Sequence, residues 1–348
     1  MQNTFRVALS GDFKKADGSP TFPDFDVTPL HDAPHVEVIY LEQGPAIRAE
    51  QIADIDVLIL LTPKFDASSI HPNGRLAAVA RFGVGYDSVD VPACTAANIP
   101  LVITPDGVRR PVAVSILTFI LALTGKMMVK DRITRDGPDG FNSRGQFMGV
   151  GLVGKILGSL GVGNIGAEMF RICKPLDMEY IAYDPYADPK VAAELGIELV
   201  GLEELFRRAD ILTVNCPLTE ATRHIVNSER LALMKPTSYF INTARGPIVD
   251  QKALTKTLQD GRIAGAGLDV FEIEPVPVDD PILKLSNAIL APHALCWTDQ
   301  CFAGNGAADV RAALDIYKGI EPRGVVNRAV LDSALFKAKL ADYAKRFG

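Results

Sequence analysis

The stretch Lys155–Asp184, KILGSLGVGNIGAEMFRICKPLDMEYIAYD, decides how this chain folds. Ile156 to Leu160 is a short, mostly apolar run that suits a buried strand. Gly161, Gly163 and Gly166 follow at GxGxxG spacing. An amphipathic segment with Ile165, Met169 and Ile172 on one side comes next, and a second apolar strand, Glu179 to Tyr183, ends at Asp184. Each glycine answers a physical demand of a dinucleotide site: a tight strand-to-helix turn, close approach of a pyrophosphate, and close packing of helix on sheet. The helix N-terminus at Val162 to Ile165 then offers free N–H groups and a positive dipole end to the phosphates. Asp184 stands about 20 residues beyond the first glycine, where an acid hydrogen-bonds the adenosine ribose. A glycine-rich turn in a parallel sheet that binds nothing is the bland alternative. The ordered succession of strand, loop, helix, strand and acid favours the nucleotide.

The 348 residues leave room for two domains of ordinary size. Hydrophobic residues make up 48% and charged residues 22%, a globular composition. The net charge of -6 and the absence of a dense basic block argue against nucleic acid as a partner. Cys94, Cys173, Cys216, Cys296 and Cys301 are odd in number and lack paired short spacing. They read as ordinary thiols in a reducing, cytoplasmic setting, with neither a disulfide framework nor a metal site. The N-terminus has no secretion-signal pattern. The longest apolar run, near Ser115 to Leu123, is too short for a membrane span and reads as a buried helix.

Before the glycine loop, FRVAL (5–9), VEVIY (36–40), VLILL (57–61), LAAVARF (76–82) and LVI (101–103) are expected strands, with a helix at about 45–53. Residues 12–34, rich in Asp, Pro and Gly, should be irregular. This alternation is the α/β pattern and implies a small parallel sheet. In the loop RFGVGYDSVD (81–90), Gly83 and Gly85 expose backbone N–H groups that could hold a carboxylate, or the loop could simply need flexible residues. Lys64, Arg81, Arg109 and Arg110 are candidates to meet an acidic substrate, though each alone could be a solvated surface charge.

After Asp184 the expected elements are a helix at ELGIE, a strand from about Glu198, a helix at 202–208, and strands ILTVN (211–215), SYFIN (238–242), AGAGLDV (264–270) and AILAPH (288–293). Helices are expected over SERLALMKP and Gln251–Gln259 between them. A Gly-rich stretch, 137–154, precedes the glycine-loop strand, and its Phe141, Phe147 and Met148 could pack across a boundary between subunits or domains. Asp184, with no Arg immediately after it, favours NAD over NADP because a 2′-phosphate would meet like charge. Open parallel sheets bind ligands beyond the carboxyl ends of their strands, and Arg245, Glu274 and His293 each stand just beyond such an end.

Together the segments RFGVGYDSVD, LGVGNIG, YDP, NCPLTEATRHIVNSERLALMKP, INTARGPIVDQKAL, GAGLDVFEIEP and APH resemble the D-isomer-specific 2-hydroxyacid dehydrogenase family, in the family's order and over most of residues 76 to 297. GVVN (324–327) is similar to the family's return segment. The resemblance implies an α/β fold of two Rossmann-like domains with parallel sheets. The NAD-binding domain would span 114–297, and the discontinuous substrate domain 1–113 and 298–348, with the active site in the cleft between them. It gives Arg245, Glu274 and His293 the three catalytic positions. It sets Asn215, Cys216, Pro217, Thr243, Ala244 and Asp269 near the nicotinamide end of the cofactor. It also raises the carboxylate-binding role of Gly83, Val84 and Gly85.

The chemistry asks for the same trio. Reducing a 2-oxo acid needs a hydride at the carbonyl carbon and a proton at its oxygen. An unperturbed imidazole changes charge near neutrality, so a histidine at position 293 is suited to give the proton. Glu274 can hold the ring, and the Arg245 fork suits both the carboxylate and the developing negative charge. Asp269 could tune the charge of the trio or serve its loop structurally. Trp297, the only tryptophan, could cover the substrate or anchor the crossing to the next helix, expected at about 298–318. A last helix is expected at about 331–346. Val114 stands where the family usually carries an acid, and Arg109-Arg110-Pro111 before it is also unusual. The resemblance further implies a homodimer joined through the nucleotide domain. The expected activity is NAD-dependent interconversion of a small D-2-hydroxy acid and its 2-oxo acid, with hydroxypyruvate or glyoxylate as the narrow expectation. D-3-phosphoglycerate is the alternative substrate, and an NAD(H)-sensing, corepressor-like interaction protein is the alternative of another class.

Overall fold

A computed structural model describes residues 4–348 as two compact units. The first comprises Met1–Val108 and Trp297–Gly348, and the second Arg109–Cys296. Both are α/β and Rossmann-like, and every strand pair is parallel.

In the first unit, β1 (Phe5–Leu9), β2 (Val36–Tyr40), β3 (Val57–Leu60), β4 (Ala78–Arg81) and β5 (Leu101–Ile103) form one sheet in the order β2-β1-β3-β4-β5. β3 is buried at every position, as a strand covered on both faces must be. One face packs on helix Asp299–Tyr317 and the final helix Ala334–Phe347, where Phe5 meets Tyr317, Tyr343 and Phe347 edge-on at 5.2–5.9 Å. The segment 12–34 is irregular apart from single turns at Gly11–Phe13 and Thr28–His31. Three phenylalanines anchor it. Phe22 stacks on Phe302 at 4.0 Å and on Phe82 at 5.5 Å, while Phe13 and Phe25 pack on Phe82 at 5.2 and 5.1 Å. The expected helix at 45–53 is only a 3-10 turn, Ala49–Ile52.

In the second unit, β6 (Ile156–Leu160), β7 (Glu179–Tyr183), β8 (Ile197–Leu199), β9 (Ile211–Val214), β10 (Tyr239–Asn242), β11 (Gly265–Leu268) and β12 (Ala288–Leu290) form the order β12-β11-β10-β9-β6-β7-β8. The strand order reverses between β6 and β9, which makes their carboxyl ends the place for a ligand. The helix expected at ELGIE lies earlier, at Pro189–Leu195. Gly196 ends it in the left-handed region and Ile197 already belongs to β8. The helix expected over SERLALMKP is a single turn, Ser228–Leu231. The Gly-rich stretch 137–154 contains helix Gly137–Ser143, and another helix, Met127–Arg135, precedes it.

The apolar helix runs from Pro105 to Thr124, longer than the run at Ser115–Leu123 suggests. Its 20 residues are long and apolar enough to cross a membrane by length and composition alone. Ala113, Ile116, Phe119, Ile120 and Leu123 are instead buried in the core of the second unit, against Leu157, Phe170 and Ile241. Pro111 sits inside this helix, and the Ser115 hydroxyl donates to the Pro111 carbonyl at 3.0 Å. Phe119 is 2% exposed. Phe119→Ala should therefore destabilise the protein by about 3–5 kcal/mol through lost burial and a residual cavity, read as a lowered urea midpoint. An unchanged midpoint would mean that this helix does not depend on its core face.

Candidate active site

The glycine loop sits where the second sheet reverses. Gly161 has φ +103, and a Cβ there would meet the backbone of Asn215 and Cys216 at 2.9 Å, so the loops after β6 and β9 touch backbone to backbone. A Cβ on Gly166 would meet the Gly161 carbonyl at 2.5 Å, which holds helix Asn164–Cys173 against the loop, whereas at Gly163 the space is open. The amides of the first helical turn have no intrahelical acceptor, and Val162, Asn164 and Ile165 share this rim. Asp184 reaches back from the end of β7. One carboxylate oxygen accepts the Val162 N–H at 2.8 Å and the other the Tyr186 N–H at 2.9 Å. Beyond β9 and β10, the Asn215 Oδ1 and Thr243 Oγ1 atoms are buried without a hydrogen-bond partner. Open space at Gly163, a dipolar helix end and orphaned polar atoms fit a bound dinucleotide. Asn215 Nδ2 donates to Ser159 Oγ at 2.9 Å, which fixes the turn into Cys216-Pro217. Burial pushes the Cys216 thiol up to about 12, so it is no nucleophile at neutral pH.

The three expected catalytic residues stand at the ends of neighbouring strands. Asn242, Leu268 and Leu290 lie in one row across β10, β11 and β12, and Arg245 and His293 each follow that row by three residues. Asn242 shapes the β10 turn by accepting the Ala244 N–H and donating to the Arg245 carbonyl, both at 3.0 Å. Arg245 Nη1 donates to the Ala244 carbonyl at 2.7 Å.

Glu274 is tied at both oxygens, by the Phe271 N–H at 2.9 Å and by His293 Nδ1 at 2.7 Å. A carboxylate only accepts, so Nδ1 carries the proton in this pair and Nε2 is left to work, an assignment the sequence alone does not make. Burial alone would raise the Glu274 pKa. The hydrogen bonds from His293 and Phe271 and the charges of His293 and Arg245 outweigh it and hold the pKa below its usual value.

Asp269 lies at the end of β11 and is 3% exposed. It accepts the N–H groups of Ala294 at 3.0 Å and Leu295 at 3.2 Å. It therefore holds the backbone just past His293, whose own φ is +55. Burial raises the Asp269 pKa despite those two amides.

Arg110 does not serve as a free cation. Its guanidinium lies 2.7 Å from Glu168, a 5% exposed residue of the glycine-loop helix that Arg171 also meets at 3.1 Å.

In the first unit, the Gly83 N–H is already committed, donating to Thr104 Oγ1 at 2.8 Å, and Thr104 in turn donates to Asn305 Oδ1 at 2.8 Å. Only the Val84 and Gly85 amides of the expected cradle remain to meet a carboxylate. Lys64 is exposed, with its backbone paired to Pro45 and Ile47. Trp297 is 55% exposed and sets its edge on Phe22 at 5.8 Å and Phe302 at 5.5 Å.

Family profiles for the D-isomer specific 2-hydroxyacid dehydrogenase catalytic domain and NAD-binding domain match residues 20–116 and 117–294. The chain belongs to this family. It is 37% identical to a glyoxylate reductase of Korarchaeum cryptofilum over 81% of this chain and 86% of that one. It is 38% identical to a D-3-phosphoglycerate dehydrogenase of Methanocaldococcus jannaschii over 80% of this chain but 53% of that protein. Among solved structures, D-mandelate dehydrogenase of Rhodotorula graminis superposes with a TM-score of 0.80, at 26% identity and over 93% of this chain and 97% of that one. The cofactor of this family is NAD, and the orphaned Asn215 and Thr243 atoms, Asp184 and the open rim at Gly163 are the groups available to hold it.

Because the Glu274 pKa is depressed in the fold, its stabilising contribution is complete above the usual value of 4.5 and is lost as pH falls through the depressed value. Glu274→Gln should accordingly lower the melting temperature at about pH 7, and by progressively less as the pH is lowered below 4.5. An equal effect across that range would mean that the carboxylate charge is not what holds this pair.

Proposed function

We propose that this dehydrogenase reduces a small 2-oxo acid with NADH, glyoxylate or hydroxypyruvate first among them, and that Arg245, Glu274 and His293 do the work. The Glu274–His293 Nδ1 contact carries the reading, because it leaves Nε2 as the group able to exchange a proton with substrate. Bound NADH supplies the hydride that reduces the carbonyl carbon. His293 gives its Nε2 proton to the carbonyl oxygen and takes it back in the oxidation direction. Glu274 keeps the ring oriented through Nδ1. Arg245 pairs with the substrate carboxylate and stabilises the oxygen as negative charge grows on it. The 37% identity to the Korarchaeum cryptofilum glyoxylate reductase supports a two-carbon or three-carbon acid.

The decisive experiment is NADH consumption against glyoxylate, hydroxypyruvate, pyruvate, oxaloacetate, 3-phosphohydroxypyruvate and phenylpyruvate, with NADPH in parallel. Glyoxylate or hydroxypyruvate should lead, and His293→Ala should cost about 10²- to 10⁴-fold in kcat/KM. Leading turnover of 3-phosphohydroxypyruvate would replace the substrate, and a preference for NADPH would overturn the role of Asp184. NADH binding without turnover of any acid would favour a sensing protein.

The same reading includes a cytoplasmic homodimer. Five scattered cysteines, none of them in a disulfide, suit a reducing compartment. Val114, Leu121, Met127, Met128, Phe141, Met148 and Val153 are all exposed within one stretch of the second unit, an apolar concentration a second copy of this chain would cover. Light scattering should give a dimer, and Leu121→Glu with Met128→Glu should yield a folded monomer. A wild-type monomer would remove the dimer.

A further inference from the structure

One histidine outside the trio ties the loop after β9 to the two turns that carry Arg245 and Glu274. His224 closes the loop after β9, in the left-handed region at φ +51, where a non-glycine residue is strained. Its N–H donates to the Pro247 carbonyl at 3.0 Å, in the turn that carries Arg245. Two residues on, the Val226 N–H donates to Ile248 at 3.1 Å and the Val226 carbonyl accepts from Asp250 at 2.9 Å, so this segment runs alongside 247–250. Its ring Nε2 hydrogen-bonds Glu272, in the turn that carries Glu274.

The β11 turn is held from its other side as well. The Glu272 N–H donates to Gln251 Oε1 at 2.9 Å, and Gln251 Nε2 donates to Asp280 at 2.8 Å. The turns themselves are pressed together, since a Cβ on Gly246 would lie 1.8 Å from the Phe271 carbonyl. Phe271 is the residue whose N–H holds one oxygen of Glu274. A displacement of Glu272 therefore reaches Glu274 through a turn that has no room to absorb it.

We infer that His224, through Glu272, is a positioning residue that sets the Glu274–His293 pair. The pair is half-exposed, with His224 and Glu272 side chains 46% and 26% accessible, so it adds little to global stability. What it fixes is geometry, and catalysis is far more sensitive than stability to a displacement of this size. The inference rests on the reading of His293 as the proton donor.

The test uses the full chain with His224→Ala, His224→Asn, Glu272→Ala, Glu272→Gln and the double alanine variant, beside wild type and His293→Ala. His224→Ala and Glu272→Ala should each lower kcat by about tenfold to a hundredfold while KM for the 2-oxo acid changes less than about threefold. The pH profile of kcat/KM should shift on the limb that reports His293. The double variant should be no worse than either single one, and Glu272→Gln, which keeps an acceptor, should recover much of the rate. His224→Asn tolerates the left-handed backbone, so any loss it shows is due to the side chain. A fall in melting temperature with kcat and pH profile unmoved would overturn the inference. Loss of the Nδ1 proton signal of His293 in the NMR spectrum of His224→Ala supports it without any turnover, and a retained signal overturns it. Wild type without activity, or active His293→Ala, would instead sink the assignment of the proton donor.

Discussion

Everything in the second unit follows from parallel hydrogen bonding between β9, β10, β11 and β12. Parallel strands send all their carboxyl ends to one edge of the sheet, so residues separated in sequence by tens of positions emerge side by side. Asn242, Leu268 and Leu290 share one row, and the loops leaving that row carry Arg245, Glu274 and His293. No local motif could build this group. A register slip in β11 or β12 would carry Glu274 or His293 away from Arg245. The buried strand interiors, including all of β9 and β10, are what hold the register.

Around that edge the chain uses its own hydrogen bonds to fix backbone before any ligand arrives. Asn242 shapes the Arg245 turn, Asp269 holds the amides beyond His293, Phe271 holds Glu274, and Asp184 holds Val162. Each is a short side chain or a main-chain amide, with little rotamer freedom left to lose. Preorganisation of this kind spares the chemical step the cost of arranging dipoles.

Much of this was legible in the sequence because its cues are local. Three glycines at fixed spacing, an acid after the next strand and apolar runs of strand length located β6, β7, β9 and β10 and the loops that follow them. The misreadings also have local causes. The apolar run marks only Ser115 to Leu123, yet the helix begins at Pro105 and accommodates Pro111. ELGIE is helical only in its first residues because Gly196 ends the helix. The commitment of the Gly83 amide to Thr104, and the service of His224 across three loops, depend on contacts between distant segments that no spacing rule encodes.

The two bonds of Asp184 bear on redesign. An acid at the end of β7 is ordinarily treated as a selectivity filter, to be exchanged when a 2′-phosphate is wanted. Here the same carboxylate is also a structural tether, with one oxygen on the glycine loop and the other on the turn that follows. Exchanging it for a small residue would free the Val162 amide and slacken the loop that receives the pyrophosphate. Cofactor preference and loop rigidity are thus written in one side chain, and a redesign toward NADP must supply a neutral acceptor in its place.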